Sequence, residues 1–259
     1  LKDAIAYEMR EKYVVYSKLS VDSDDVLKAF IYDYIFICYF LGNDFLPHLP
    51  SVSLSNDGLE QILNIYIETY YILKDNLVNV TTLKINNTFL KHFLTKLKEF
   101  EYDNLKTLTK KRQKFSLRYR KYDNNLDKHM DLHNYYPMLN REKEEKINIF
   151  SKGWKHRYYD TCFGVNSMTE IDNICHNYCE GLKWTLEYYF KDCTSWNWQY
   201  LYNHGPLLDD LSHYISKFKD INKINISKGT PNTPLIQLLS ILPPKSNQLI
   251  PKTCRILTT

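Results

Sequence analysis

The sequence predicts a mainly α protein, an irregular multi-helix domain with long loops. Three observations predict it. Apolar residues recur at helical spacing, most plainly at 59, 62, 63, 66, 67 and 70. Stretches with the signals of strands are few. Only 7 glycines occur in 259 residues, which argues against a doubly wound fold with many tight turns and against a glycine-rich phosphate loop. A hydrophobic fraction of 44% and an aromatic fraction of 15%, with 22 tyrosines, supply a real core and exclude global disorder.

The elements follow in order. Leu1–Tyr16 reads as a short helix of mixed charge, and Ser20–Asp25 as an acidic break that can cap the next helix. Val26–Leu41 is apolar on nearly every face, as a buried helix is. Gly42 is expected to end it, and Pro47 and Pro50 then force an extended segment. Asp57–Ile72 carries the helical period, and Thr88–Leu97 repeats it. The segment 105–150 is strongly charged, with a basic run at Lys110–Lys121 and a mixed run at Arg141–Lys146. It is expected to be a mobile insertion of exposed helix and loop. Gly153–Phe163 is aromatic and basic. Met168–Phe190 is predicted to be an amphipathic helix, Cys193–Leu208 a loop dense in aromatics, and Leu235–Leu242 a last short helix framed by prolines. No internal repeat is present.

Net charge is +4, from 34 basic and 30 acidic side chains, which allows nucleic-acid binding without demonstrating it. The six cysteines (38, 162, 175, 179, 193 and 254) lack paired C-x-x-C spacing, and no secretory signal is present. Reduced thiols in an intracellular protein are expected, with cytoplasm and nucleus not distinguished. No apolar run reaches the ~18 residues of a membrane span. Ala29–Leu46 comes closest but is interrupted by Asp33, Asn43 and Asp44.

The chemistry concentrates in Asp33–Pro50, DYIFICYFLGNDFLPHLP. An apolar helix that stops at Gly42 delivers Asp44 to its C-terminal mouth, where the dipole end is negative and the flanks are apolar. A divalent cation would offset that cost. Capping of a neighbouring helix or pairing with a buried arginine explains the residue as well. Asp33 lies 11 residues earlier, about the same face but roughly 16 Å away along the axis, too far to share one ion. It is expected to be a buried, hydrogen-bonded carboxylate. His48, between prolines, is expected to be a packed core residue.

Two further clusters draw less. The run Lys110–Tyr122 could follow a phosphate backbone, but a solvated helix face is the stronger reading. Cys175, His176 and Cys179 lie about one turn apart without a second ligand pair, so zinc is not expected.

GNDFLPHLP (Gly42–Pro50) resembles the signature stretch of the XRN family of 5′→3′ exoribonucleases, and the preceding DYIFICYFL resembles that family's helix. Further blocks are similar in the same order: LSNDGLEQILNIY (Leu54–Tyr66), GWKHRYY (Gly153–Tyr159), YCEGLKWTLEYYFKDCTSWNWQYLYNHGPLLDDL (Tyr178–Leu211) and KGTPNTPLIQLLSILPPKS (Lys228–Ser246). The resemblance covers nearly the whole chain. It implies the helical middle of such an enzyme: 1–24 as the end of the N-terminal nuclease segment and 25–259 as the helical domain. It implies Asp44 as a catalytic residue and metal ligand for Mg²⁺ or Mn²⁺, and single-stranded RNA with a 5′-monophosphate as substrate.

The family stacks bases on aromatic side chains, which makes Trp196, Trp198, Trp184 and His204 candidate substrate-binding residues here. Where the family has roughly YYPYHYAP, this chain has QYLYNHGP (Gln199–Pro206). Tyr200, Tyr202 and Pro206 match, whereas His204 falls one position after the family's histidine. The family draws most of its metal-binding carboxylates and its 5′-phosphate pocket from the segment before the GND motif, and only about forty residues precede it here. The chain is therefore expected to act with an N-terminal nuclease segment of the same protein and to lack most of the active site alone. The alternative is a non-catalytic RNA- or protein-binding helical module.

Overall fold

The computed structural model describes residues 24–54, 57–115, 121–217 and 220–258. Helix α1 spans Asp24–Cys38 and runs on as a 3₁₀ turn, Tyr39–Leu41. Helices α2 (Gly58–Leu73) and α3 (Asn87–Leu97) follow, and a 3₁₀ turn leads into α4 (Glu101–Lys114). Then come α5 (Asn125–Leu139), α6 (Glu142–Ile147), α7 (Trp154–Phe163), α8 (Met168–Phe190), α9 (Leu208–Lys217) and α10 (Pro234–Ile241). Among the described residues no strand forms, and β pairing is confined to one isolated bridge between Val78 and Ile85. The expected helix at Leu1–Tyr16 lies outside the described residues, as does the acidic break up to position 23. Asp24 and Asp25 already belong to α1.

The ends of these helices have local causes. The Asn86 side chain caps α3 by accepting from Phe89 N, and Thr233 caps α10 with Pro234 in the first turn. Ser167 and Glu170 form a reciprocal capping box on α8, so the longest helix begins where its sequence signature stands. The core gathers Phe36, Ile37 and Phe40 from α1, and Ile62, Leu63 and Tyr66 from α2. Phe89, Phe93 and Leu97 join from α3, Ile174, Tyr178 and Leu182 from α8, and Leu211 and Ile215 from α9. The apolar Val26–Leu41 stretch is thus inserted among helices, with Phe36, Ile37 and Phe40 fully buried.

Asp33 is buried at 0% exposure, as the sequence suggested. It accepts hydrogen bonds from Tyr66 Oη (2.7 Å), Asn76 Nδ2 (2.9 Å), Leu77 N (2.9 Å) and Val78 N (2.7 Å). One carboxylate therefore holds α1, α2 and the 76–78 loop together. Burial pushes its pKa up to about 6, against the opposing pull of Asn76, Leu77, Tyr66 and Val78.

One sequence expectation is corrected, and two segments for which no element was expected are helical. His48 is exposed rather than packed in the core: Leu46 and Leu49 take the inward positions of the loop, and the His48 ring bonds the Leu49 carbonyl at 2.9 Å. The helix α9, within a stretch with no expected element, forms because Glu101 supplies its N-terminus with acceptors from far along the chain. The Glu101 carboxylate accepts from Leu208 N and, at 3.2 Å, from Asp209 N. The GWKHRYY segment is the helix α7. Its Arg157 fork gathers the carbonyls of Ile147, Lys152, Asn148 and Ser151 at 2.8–3.2 Å.

The charged stretch holds α4, α5 and α6, and none of the α5 side chains is fully buried. Arg112 joins α4 to this region through Glu144 and the carbonyls of Pro137 (2.9 Å) and Asn140 (3.1 Å). Arg141 bonds the Phe115 carbonyl at 2.6 Å. Of the basic run, Lys110, Lys111 and Lys114 stand exposed on α4, and 116–120 lie outside the described residues.

Candidate functional site: an aspartate turn beside an aromatic stack

The chain leaves α1 through Gly42, whose φ of 93° and ψ of 151° are open only to glycine. A Cβ there would stand 2.9 Å from the backbone nitrogen of His48. The next turn is closed by Asn43. Its Oδ1 accepts from Phe45 N (2.8 Å) and Leu46 N (2.9 Å), and its own N–H donates to Leu46 O at 2.9 Å. Leu49 N returns to Phe40 O at 2.9 Å, and Tyr178 Oη donates to Pro47 O at 3.2 Å. Asp44 is therefore carried on a turn tied to both α1 and α8.

The Asp44 side chain is exposed. The desolvation cost inferred from its apolar flanks is thus absent, because Phe45 and Leu46 turn away and leave the carboxylate in solvent. The carboxylate is accessible to a cation. Among the described residues, no group of three or more His, Cys, Asp or Glu could hold a metal ion. The Tyr39 hydroxyl and Asn43 Nδ2 are buried beside the turn without hydrogen-bond partners, a cost of about 1–3 kcal/mol each.

The ring of Phe45 meets Trp184 edge-on at 4.8 Å, Tyr188 at 5.1 Å and Tyr189 at 6.4 Å. Trp184 is only 6% exposed, and its Nε1 donates to Ser195 O at 3.0 Å. Trp198 stacks on it at 5.0 Å from the side of Gly181, and Tyr188 at 5.0 Å from the next turn of α8. A Cβ on Gly181 would lie 2.5 Å from Leu46 Cδ2 and 2.9 Å from the Trp198 ring. The glycine therefore lets the aspartate turn and the stack close on one spot of α8. Burial, then the Asp44 charge, raises the Tyr189 phenol pKa above its usual value, which puts that ring within reach of the carboxylate's field.

The structure separates the four aromatic candidates. Trp184 and Trp198 join the stack next to Asp44. Trp196 is 52% exposed and is held by a bond from its N–H to Lys228 O at 2.8 Å. His204 belongs to another neighbourhood, a cavity of about 670 Å³ that also takes in Arg112, Lys143, Glu144 and Cys162. Lys143 Nζ donates to its Nε2 at 2.9 Å. Burial, then Lys143 and His48, lowers the His204 pKa. Tyr188 and Tyr189, each 44% exposed, were not singled out in the sequence. Their signal was available: two consecutive tyrosines end the predicted amphipathic helix, where one must leave the apolar face.

Cys175 and Cys179 are buried free thiols whose pKa values burial pushes up, and His176 bonds the Tyr214 hydroxyl at 2.6 Å. Among the described residues no helix is long and apolar enough to cross a membrane.

Comparison with known proteins agrees with the sequence blocks. The Xrn1 helical domain family matches residues 25–142 and 136–259. The chain is 26% identical to 5′-3′ exoribonuclease 2 of Arabidopsis thaliana, over 90% of this chain and 30% of that protein. It is 25% identical to 5′-3′ exoribonuclease 2 of Gallus gallus, over 88% of this chain and 30% of that protein. With 5′-3′ exoribonuclease 2 of Emericella nidulans the identity is 37%, over 44% of this chain and 11% of that protein. The chain thus spans under a third of the length of these relatives.

Proposed function

This chain belongs to the XRN family of 5′-3′ exoribonucleases as its helical middle region, and on that premise we propose that it completes the active centre of such an enzyme and shapes its RNA channel. The nuclease segment of the same protein supplies the remaining carboxylates and the pocket for the substrate's 5′-phosphate. The substrate is single-stranded RNA with a 5′-monophosphate, degraded from that end. The observation that carries this reading is the exposed Asp44 carboxylate, held on a turn closed by Asn43 beside an aromatic stack.

Asp44 would be one ligand of a shared Mg²⁺ or Mn²⁺ centre. Bound ions of this kind polarise a phosphodiester and activate water. The residues of this chain do the holding. Asn43 fixes the turn, Leu46 and Leu49 anchor it in the core, and Gly181 lets it rest on α8. The exposed ring of Trp196 offers a plane on which unpaired bases can stack without sequence preference. His204, held by Lys143, lines a separate cavity. The six free thiols fit a reducing, intracellular setting.

The test is Asp44→Ala in the full-length protein, followed by decay of 5′-monophosphorylated single-stranded RNA in Mg²⁺. Loss of one metal ligand removes charge stabilisation worth several kcal/mol, so hydrolysis should be abolished with the fold intact. Activity within about threefold of wild type would leave Asp44 a purely structural job. RNA binding without hydrolysis in the full-length wild type would favour the non-catalytic module instead.

A further inference from the structure

Where the charged stretch meets α7 and the loop of His204, it leaves a cavity of about 670 Å³. A space of that size takes a small organic ligand. Its walls are held by specific bonds. Arg112 contacts Glu144 and donates to the carbonyls of Pro137 (2.9 Å) and Asn140 (3.1 Å), which fixes α4, α5 and α6 around one side. Asn140 Nδ2 donates to Tyr136 Oη at 3.3 Å. On the other side Tyr200 Oη donates to the His204 carbonyl at 2.8 Å, and Phe163 meets the His204 ring edge-on at 6.3 Å.

The charges of the lining do not balance. Glu144 is matched by Arg112, and Glu142 by Lys146 at 2.7 Å. Lys143 is left over. Among the described residues its ammonium bonds His204 Nε2 at 2.9 Å and has no carboxylate partner. His204 is itself a base. Burial, then Lys143 and His48, lowers its pKa, and no carboxylate offsets them. Burial raises the Cys162 thiol pKa, Lys143 opposes this and Glu144 adds to it, so the ammonium and the thiol face the same space. Two bases pressed together in a half-enclosed cavity suit an anion that the chain does not itself supply.

We infer that this cavity binds a nucleoside 5′-monophosphate, with its phosphate on Lys143 and His204 and its base against Tyr136. The choice of ligand rests on the proposed nuclease reading. Each cut that leaves a 5′-phosphate on the shortened RNA releases one such nucleotide. A phosphate suits the pair because its oxygens accept from an ammonium and an imidazole at once. The Tyr136 ring is 61% exposed, and with Pro137 and Ile147 it forms an apolar part of the lining against which a flat base can lie. Asp44 does not line this cavity.

The experiment takes the full-length protein in EDTA and follows alkylation of Cys162, read on its own peptide by mass spectrometry, because that thiol lines the cavity. Saturating 5′-AMP should slow the labelling about tenfold. Adenosine at the same concentration should give no protection. Lys143→Met keeps the stem and removes the ammonium, so 5′-AMP should no longer protect, whereas Lys143→Arg should retain protection. Circular dichroism verifies that each variant folds. Unprotected Cys162 in the wild type overturns the site. Equal protection by adenosine, or undiminished protection in Lys143→Met, overturns the phosphate contact. Equal protection by inorganic phosphate overturns the nucleotide assignment. Asp44→Ala should be protected as the wild type is, so failure of the nuclease reading in RNA decay and failure of this site are separate results.

Discussion

The Tyr66 hydroxyl donates to the Asp33 carboxylate across 2.7 Å, and through that bond α2 is fastened to α1 ahead of the turn that carries Asp44. Three more donors, Asn76 Nδ2, Leu77 N and Val78 N, converge on the same carboxylate. An isolated carboxylate at this depth would be expensive. Four donors make it the joint of the N-terminal half.

Asp33→Ala should be severely destabilising. It leaves several buried donors unpaired, each worth about 1–3 kcal/mol. Chemical denaturation of the chain should show a loss above about 3 kcal/mol. Asp33→Asn should lie between that and wild type, since one acceptor oxygen remains. A loss under about 1 kcal/mol in Asp33→Ala would show that water or a repacked loop satisfies the donors.

Stability should fall as pH rises from weakly acidic to neutral. Burial lifts Asp33 from 3.8 to about 6 and Glu101 from 4.5 to about 7. For Glu101 the bonds from Leu208 and Asp209 and the charge of Lys155 oppose this, and the charge of Asp210 adds to it. The folded chain keeps protons that the unfolded chain has already released, so this contribution is complete below about pH 4 and is lost through about pH 7. Asp209 and Asp220, held low by partners, act in the opposite sense only in the acid range. His204, lowered by burial, opposes the trend near its own titration. Glu101→Gln removes one of the two lifted carboxylates, so its thermal midpoint should change less than wild type between about pH 5 and about pH 7.5. An equal or steeper slope in the variant would count against the account.

Gly181→Ala should destabilise although alanine is the better helix former by about 1 kcal/mol. The added methyl would meet Leu46 Cδ2 at 2.5 Å and the Trp198 ring at 2.9 Å. Overpacking of this kind costs about 1–3 kcal/mol. Tryptophan fluorescence should shift as Trp198 moves off Trp184. A stabilised variant with unchanged emission would show that both neighbours yield freely.

The isolated 259-residue chain should release no mononucleotides processively from 5′-phosphorylated RNA in Mg²⁺ or Mn²⁺. One carboxylate cannot hold two ions about 4 Å apart. Weak RNA binding should remain and fall with salt. Trp196→Ala should lower that affinity without unfolding the chain, because the ring is 52% exposed. Trp198→Ala should also cost stability, because its ring is part of the stack. Robust, metal-dependent release that Asp44→Ala abolishes would mean that these residues hold a complete active site.

Helices with a strong local signature were legible in the sequence. Met168–Phe190 begins and ends where its amphipathic pattern places it, and α2 and α3 lie within a residue or so of their expected bounds. Gly42 was legible as a stop because only its own backbone conformation is at issue. These properties depend on neighbours three or four positions away, which the sequence lists side by side. Tertiary structure alone decided the rest. Leu46 and Leu49, not His48, fill the core, because Gly42 turns the chain and sets which loop residues point inward. Helix α9 begins at Leu208 because Glu101, more than a hundred residues earlier, accepts from its first N–H groups. Four aromatic candidates of similar chemistry were sorted into a buried member of a stack, a half-buried neighbour, an exposed ring and a histidine in a separate cavity. No local pattern encodes that sorting. Exposure is settled by which distant surface arrives to cover a ring, and packing of α8 against the aspartate turn is what leaves Tyr188 open and Trp184 closed.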